Sequence, residues 1–403
     1  MSTWDDKLND YEHEIFLNGK VELHCGDMTA VLPTLASNSI DSCVCDPPYH
    51  LTNNKGARSL FPGQYTPIGK PKAPRGGFRG KQWDGGDIAF QPETWAQVYR
   101  VLKPGAHLIA FSSTRTYHRM ACAIEDAGFE IRDQIGFCYG SGFPKSHNVG
   151  HGWGSALKPA WEPIVLARKP LSEKTIAANV LKWGTGAINI DGCRVEASSD
   201  HAENCARTFQ SGIWKKSGEG RSAITTEANK FGRWPANIIT DGSDEVVARF
   251  PETTPSPTGL ITQGGDHFSI GSEEKTRGTK FQGHGDSGSA ARFFYTAKAN
   301  ANDRLGSNHP TIKPIDLMQY LVRLVTPKDG LVLDPFAGTG TTAEAAWREG
   351  MRAVLIERET EYQDDIRRRM KLCLAGPDER TRESIKAKMK DKPIDVGPLF
   401  ARG

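Results

Sequence analysis

The stretch "VLDPFAGTGTTAEAA", Val332 to Ala346, decides the fold. A short apolar run ends on Asp334, a Gly338-x-Gly340 turn follows, and the residues after it have helical composition. The next strand-like run closes on Glu357, 17 residues after Gly340. Strand, glycine turn, helix, strand and acid in this order suit a cofactor that carries adenosine. Glycines let the backbone approach the ligand, and the acid accepts from the two ribose hydroxyls. No Lys follows the second glycine, which speaks against a phosphate-binding loop. A dinucleotide needs amides for its pyrophosphate, whereas S-adenosylmethionine needs a partner for its amino group. Asp334 suits the cation and not the pyrophosphate, so the expected cofactor is S-adenosyl-L-methionine.

Outward from this turn, the C-terminal part alternates a helix "IDLMQYLVRLVT", a strand "GLVLD", a helix "TTAEAAWREG", a strand "RAVLIE" and a helix "TEYQDDIRRRMKLCLA". The N-terminal part alternates in the same way. "VELHCGD", "SCVCD", "HLIAFSS", "EIRDQIGFCYG" and "EPIVLARK" read as strands, and "PETWAQVYRVLKPG" is a helix closed by Pro-Gly. Strands alternating with helices argue for an α/β sheet with helical cover. The middle is instead rich in Gly, Ser and Thr, with short apolar islands. The expected architecture is therefore a Rossmann-like α/β sheet assembled from both chain ends, with an inserted recognition region. In residues, 1–169 and 303–376 form the two halves, 170–302 the partly flexible insertion and 377–403 a charged, solvated tail.

A second stretch, "DSCVCDPPYHL" from Asp41 to Leu51, raises a chemical question. Two consecutive prolines lack N–H groups and fix φ, so the strand must stop at Asp46. It leaves a carboxylate, a stiff backbone and an aromatic ring at its carboxyl end. A flipped-out adenine or cytosine presents an exocyclic amine whose lone pair is delocalised into the ring. Asp46 and the Pro47 carbonyl can accept its two N–H bonds, with Pro47 and Pro48 fixing the backbone beforehand. Tyr49 can stack on the base, worth on the order of 1–3 kcal/mol.

The bulk numbers restrict the alternatives. At 403 residues the chain can bury a large core, and 42 Gly with 24 Pro imply much loop. A net charge of +3 is mild, yet from His50 to Trp83 there are seven Lys/Arg and no acid, interleaved with four aromatics. That stretch is suited to DNA backbone contact, which gives affinity without sequence reading. The eight cysteines are dispersed with no C-x-x-C pair, which excludes a disulfide scaffold and a structural zinc site, and no metal is expected. The start of the chain is acidic and lacks an apolar signal region, and no run approaches the roughly 20 apolar residues of a membrane span. A soluble protein of a reducing bacterial or phage-infected cytoplasm is the expectation.

Together these residues resemble the β-group of S-adenosylmethionine-dependent amino-group DNA methyltransferases. Asp46–Tyr49 resembles the family's catalytic Asp-Pro-Pro-Tyr, and Asp334–Thr342 its cofactor loop, which implies contacts from Phe336, Gly338, Gly340 and Thr341. "HCGDM" resembles the turn at the cofactor adenine and implies that role for Asp27. "NHPTIKP" resembles the segment leading into the loop, with Lys313 near the methionine carboxylate. The order of motifs, catalytic before cofactor with recognition between, is similar to that of the β-group. Asp in the first position goes with adenine N6 more often than with cytosine N4, so the resemblance implies an adenine N6-methyltransferase on double-stranded DNA. A cytosine N4 or RNA amino-methyltransferase is the alternative, and an NAD(P)-dependent oxidoreductase would leave Asp-Pro-Pro-Tyr unexplained. Relatives are often dimers, and the oligomeric state, a homodimer among the options, stays open. A partner restriction endonuclease and a solitary regulatory role both stay open.

Overall fold

The computed structural model describes residues 13–49, 87–142, 148–196, 232–254, 259–261, 279–281, 287–298, 301–309 and 311–390. The basic stretch between His50 and Trp83 lies outside the described residues, as do 63 of the 133 residues of the glycine-rich middle, 170–302. Two compact units are present. One comprises Met1–Asn189, Asn237–Asp241 and Thr296–Gly403, and the other Ile190–Ala236 and Gly242–Tyr295.

The first unit is built on a ten-stranded sheet. Its strands are β1 (His13–Phe16), β2 (Val21–Cys25), β3 (Ile40–Cys45), β4 (Leu102–Phe111), β5 (Glu130–Cys138), β6 (Trp161–Arg168), β7 (Ile238–Thr240), β8 (Tyr295–Thr296), β9 (Leu331–Asp334) and β10 (Arg352–Glu357). Their spatial order is β1-β2-β10-β9-β3-β4-β6-β5-β7-β8. Six of its helices are α1 (Met28–Val31), α2 (Pro92–Val101), α3 (Tyr117–Asp126), α4 (Ile176–Trp183), α5 (Ile315–Val325) and α6 (Thr341–Arg348), followed by α7 (Thr360–Leu372) and α8 (Pro377–Lys390).

The pairing of β9 with β3, Val332 opposite Ser42 and Leu333 opposite Cys43, joins the two chain ends in one Rossmann-like sheet. All six residues of β3 are buried, as expected for a parallel strand covered on both faces. Cys43, Cys45, Leu108, Ala110, Leu333 and Ile356 form one core with α1, α2 and α3. Alternate residues point the other way, where α5 and α6 pack and the Ser42 and Thr326 hydroxyls meet at 2.8 Å. Buried Asp41 ties the same seam by accepting from the Leu331 N–H at 2.8 Å and from Lys103 at 2.6 Å.

Two details differ from the sequence expectation. Pro104-Gly105 does not separate helix from strand, because β4 already begins at Leu102 and absorbs the pair in a bulge against β3. Gly105 has φ +81°, and a Cβ there would lie 2.5 Å from the Asn179 amide, so only glycine fits. The tail after Gly376 is not simply solvated. Its Arg380 donates to fully buried Glu344 at 2.7 Å, docking the start of α8 on α6. Residues 391–403 lie outside the described residues. Among the described residues, no helix is long and apolar enough to cross a membrane.

The second unit is small. Val195 bridges Arg233, and the Arg233 guanidinium donates to the Glu196 carbonyl at 2.6 Å. Glu252–Thr253 pairs with Gly288–Ser289, and Gly259–Ile261 with Thr279–Phe281.

Candidate active site

β2, β10, β9 and β3 are adjacent and all parallel, so their carboxyl ends lie along one edge. Each of these ends carries an acid: Asp27 just past β2, Glu357 on β10, Asp334 on β9 and Asp46 just past β3. With strands about 4.8 Å apart, the row runs roughly 15 Å along the edge. Chain progression reverses between β9 and β3, and open α/β sheets bind ligands at such a switch point. A cavity of about 570 Å³ opens there, lined by Asp27, Asp46, Pro47, Pro48, Tyr49, Lys313, Asp334, Phe336, Gly338, Thr341 and Glu357. Gly340 is the candidate that does not line it.

Gly340 shapes the turn instead. It precedes α6 with φ +75°, and an added Cβ would lie 3.1 Å from Ile366. Gly340→Ala is therefore expected to cost about 1–2 kcal/mol, chiefly for the left-handed backbone. Urea unfolding checks this, and an unchanged midpoint would show that the turn relaxes freely. Gly338, at φ +52°, faces the cavity, where its Cβ would sit 3.5 Å from the His309 ring.

Burial governs the two acids beside this turn. It pushes the Asp334 carboxyl up to about 7, although the Thr342 hydroxyl at 2.5 Å and the Phe336 N–H at 3.1 Å favour the anion. Burial likewise raises Glu357 to about 7, against the Glu359 and Gly338 amides at 2.8 and 2.7 Å. Each Glu357 oxygen accepts one amide and keeps a lone pair for a hydroxyl donor. Asp27 differs: burial raises it, but the Thr29 hydroxyl and amide with Arg358 outweigh that and hold it below the usual range. Phe336 packs partly on the core and is tilted against Trp95 with ring centres 6.4 Å apart.

At the other end of the row, Asp46 accepts from Tyr49 Oη on Oδ1 at 2.7 Å and from Lys313 Nζ on Oδ2 at 2.8 Å. Lys313 also reaches Tyr49 Oη at 3.2 Å and lies over the Phe111 ring, 4.8 Å from its centre. Burial lowers its ammonium's pKa, but Asp46 and Glu162 outweigh that and keep the lysine charged. Burial also raises the Tyr49 phenol well above its ordinary value, and Asp46 adds to this. The sequence reading put Lys313 near a methionine carboxylate; its ammonium here rests between two acids. His309 stacks edge-on against Tyr362, and burial lowers its pKa to about 4.

Sequence reasoning missed Glu162, which also lines the cavity. Its one signal was an acid at the head of the otherwise apolar run "EPIVLA". The buried brace behind the turn was missed as well. Arg369 of α7 donates to the Thr339 carbonyl at 2.7 Å and to Glu344 of α6 at 2.7 Å.

The residues fit an elongated ligand with a cationic end and a pair of vicinal hydroxyls. Asp334 offers a buried carboxylate to the cation, and Glu357 offers acceptors to the diol. Among the described residues no cluster of His, Cys and acids could hold a metal ion.

The model of the N6_N4_Mtase family, DNA methylase, matches residues 40–368. The Type II methyltransferase M.HindIII of Haemophilus influenzae is 23% identical over 275 residues, 63% of this chain and 60% of that relative. The chain thus spans under two thirds of the length of that protein. The Type II methyltransferase M2.DpnII of Streptococcus pneumoniae is 37% identical over 68 residues, 17% of this chain and 25% of its own. Among solved structures, the PvuII DNA methyltransferase (cytosine-N4-specific) is 14% identical, covering 92% of this chain and 93% of that one with a TM-score of 0.46.

Proposed function

Because the chain belongs to the N6/N4 DNA methylase family, we propose that it transfers a methyl group from S-adenosylmethionine to the N6 amine of a flipped-out adenine in duplex DNA. The observation that carries this reading is the Asp46–Tyr49 corner standing across the switch point from Asp334, in the same cavity. The family is S-adenosylmethionine-dependent, and the cofactor supplies an electrophilic methyl group when bound. Glu357 would accept from its ribose hydroxyls, Asp27 would stand toward its adenine, and Asp334 would hold its ammonium. Phe336 and the Gly338 backbone would form the walls.

Asp46 and the Pro47 carbonyl would accept the two N–H bonds of the target amine. Drawing those hydrogens toward fixed acceptors localises the nitrogen lone pair, and the carboxylate stabilises the positive charge that develops there. Because Pro47 and Pro48 fix the backbone, little of that arrangement has to form during the reaction. Adenine is favoured by Asp in the motif's first position. In the same reading, 1–169 and 303–376 are the two halves of the methyltransferase domain, joined by α4, β7 and Thr296 of β8 from within 170–302, and the target-recognition region is confined to Ile190–Ala236 and Gly242–Tyr295.

The test is transfer of labelled methyl to unmodified duplex DNA, followed by digestion to nucleosides. N6-methyladenine is the expected product. N4-methylcytosine would keep the reaction and overturn the base, and no transfer to any DNA would overturn the substrate.

A pH dependence follows from the raised acids. With Asp334 and Glu357 both near 7, the free protein is largely protonated there at pH 6. A cationic ligand end favours the ionised form, so binding expels protons and affinity must rise with pH through 7. S-adenosylmethionine should bind about fivefold more tightly at pH 7 than at pH 6, a range in which its own α-ammonium, with an ordinary pKa of about 7.7–8.0, stays mostly charged. Calorimetry in two buffers of different ionisation enthalpy reads both the affinity and the released protons. Equal affinities with no proton release would remove Asp334 from the ammonium site.

A further inference from the structure

Glu162 is an acid in the cavity wall that the mechanism above does not use. It is the second residue of β6, opposite Phe137 of β5, and Ile164–Ala167 after it are buried in the sheet. Its Oε2 is buried and accepts no hydrogen bond among the described residues, yet lies 3.3 Å from Lys313 Nζ. The same ammonium is 2.8 Å from Asp46 Oδ2. One lysine is therefore shared by two carboxylates, and one of the two is the acid that must receive the target amine.

We propose that Glu162 is a positioning residue for methyl transfer, acting as the second counter-ion that draws Lys313 away from Asp46 when the target amine arrives. This rests on the methyl-transfer reading above. Both Asp46 oxygens are engaged, one by Tyr49 and one by Lys313. With Lys313 and Asp46 alone the corner would be neutral, and a neutralised carboxylate stabilises a developing ammonium poorly. Ionised Glu162 restores a net negative charge beside Asp46, where the developing charge on the amine is met. It also gives the ammonium somewhere to rest once Asp46 Oδ2 turns to the amine.

The charged and titratable groups facing Glu162 are Lys313, Asp46, Tyr49 and Tyr139. Burial raises the Glu162 carboxyl above the ordinary glutamate range, Lys313 opposes that and Asp46 adds to it. Protonation of Glu162 thus belongs to the acidic limb of the rate profile.

The experiment measures methyl transfer to duplex DNA by the full chain against pH, comparing wild type, Glu162→Gln and Glu162→Asp. In Glu162→Gln, kcat is expected to fall about 10- to 100-fold with the KM for S-adenosylmethionine unchanged. Its acidic limb should move to lower pH, and Glu162→Asp should recover part of the rate. A kcat within twofold of wild type overturns the proposal, and so does a reduced kcat with the wild-type pH profile. A wild type that methylates no DNA refutes the methyl-transfer reading, and a second arm then decides the role of Glu162. With glutamate carboxyls labelled by carbon-13, the Glu162 signal is assigned by its loss in Glu162→Gln. It should titrate at lower pH in Asp46→Asn, and an unmoved titration overturns the shared lysine.

Discussion

Asp46→Asn is expected to lower the rate of methyl transfer by about 10²–10³-fold, with S-adenosylmethionine affinity within a few-fold of wild type. The substitution keeps the shape of the side chain and removes its charge. Asn has one acceptor oxygen, and the Lys313 ammonium, 2.8 Å from Asp46 Oδ2, will take it. The amide NH2 then faces Tyr49 and the incoming amine, so a donor meets a donor where an acceptor is needed. About 3–4 kcal/mol of transition-state stabilisation is lost. Lys313 keeps Glu162 at 3.3 Å, so the folded state tolerates the change. Single-turnover transfer with saturating cofactor and DNA reads the chemical step alone. A rate within tenfold of wild type would mean that Asp46 does not hold the amine.

Glu344→Ala should produce the largest loss of stability, about 3–5 kcal/mol by urea unfolding. Glu344 is fully buried and receives Arg369, Arg348 and Arg380 at 2.7, 2.8 and 2.7 Å. Burial raises its carboxyl's pKa, but the three guanidinium groups outweigh that and hold it below the ordinary value. Removing it strands Arg369, whose side chain is 1% exposed, as a buried cation that, among the described residues, faces the Thr339 and Asp303 carbonyls and the Thr339 hydroxyl. Because Arg369 holds the Thr339 carbonyl inside the glycine turn, where the cofactor is proposed to bind, cofactor affinity should fall in the folded variant as well. A stability loss under about 1 kcal/mol would show that solvent reaches the cluster and screens it. Glu344→Gln, which keeps the volume, should lie between the two.

Four acids at strand ends were legible because the signals are local. An apolar run stops where proline or glycine forces it to stop, and the residue at the stop is then at the sheet's edge. Asp46 before two prolines and Asp334 before the glycine turn follow from backbone chemistry alone. Pro104-Gly105 misled the same reasoning. A glycine that looks like a helix terminator instead lets β4 bulge beside Asn179, a residue 74 positions farther on that no local pattern announces.

The sequence by itself determined the layered α/β sheet, the joining of both chain ends, and the strand-end positions of Asp27, Glu357, Asp334 and Asp46. These rest on the period of apolar residues and on turn chemistry, both of which act over a few residues. Tertiary structure alone decided that Lys313 meets Asp46, 267 positions away, and shares itself with Glu162 on an antiparallel strand. It also decided that Arg369 and Arg380 converge on Glu344. Ion pairs of this kind are fixed by strand register and helix docking. The physical reason they escape the sequence is that a charged residue looks the same there whether it faces water or a buried partner.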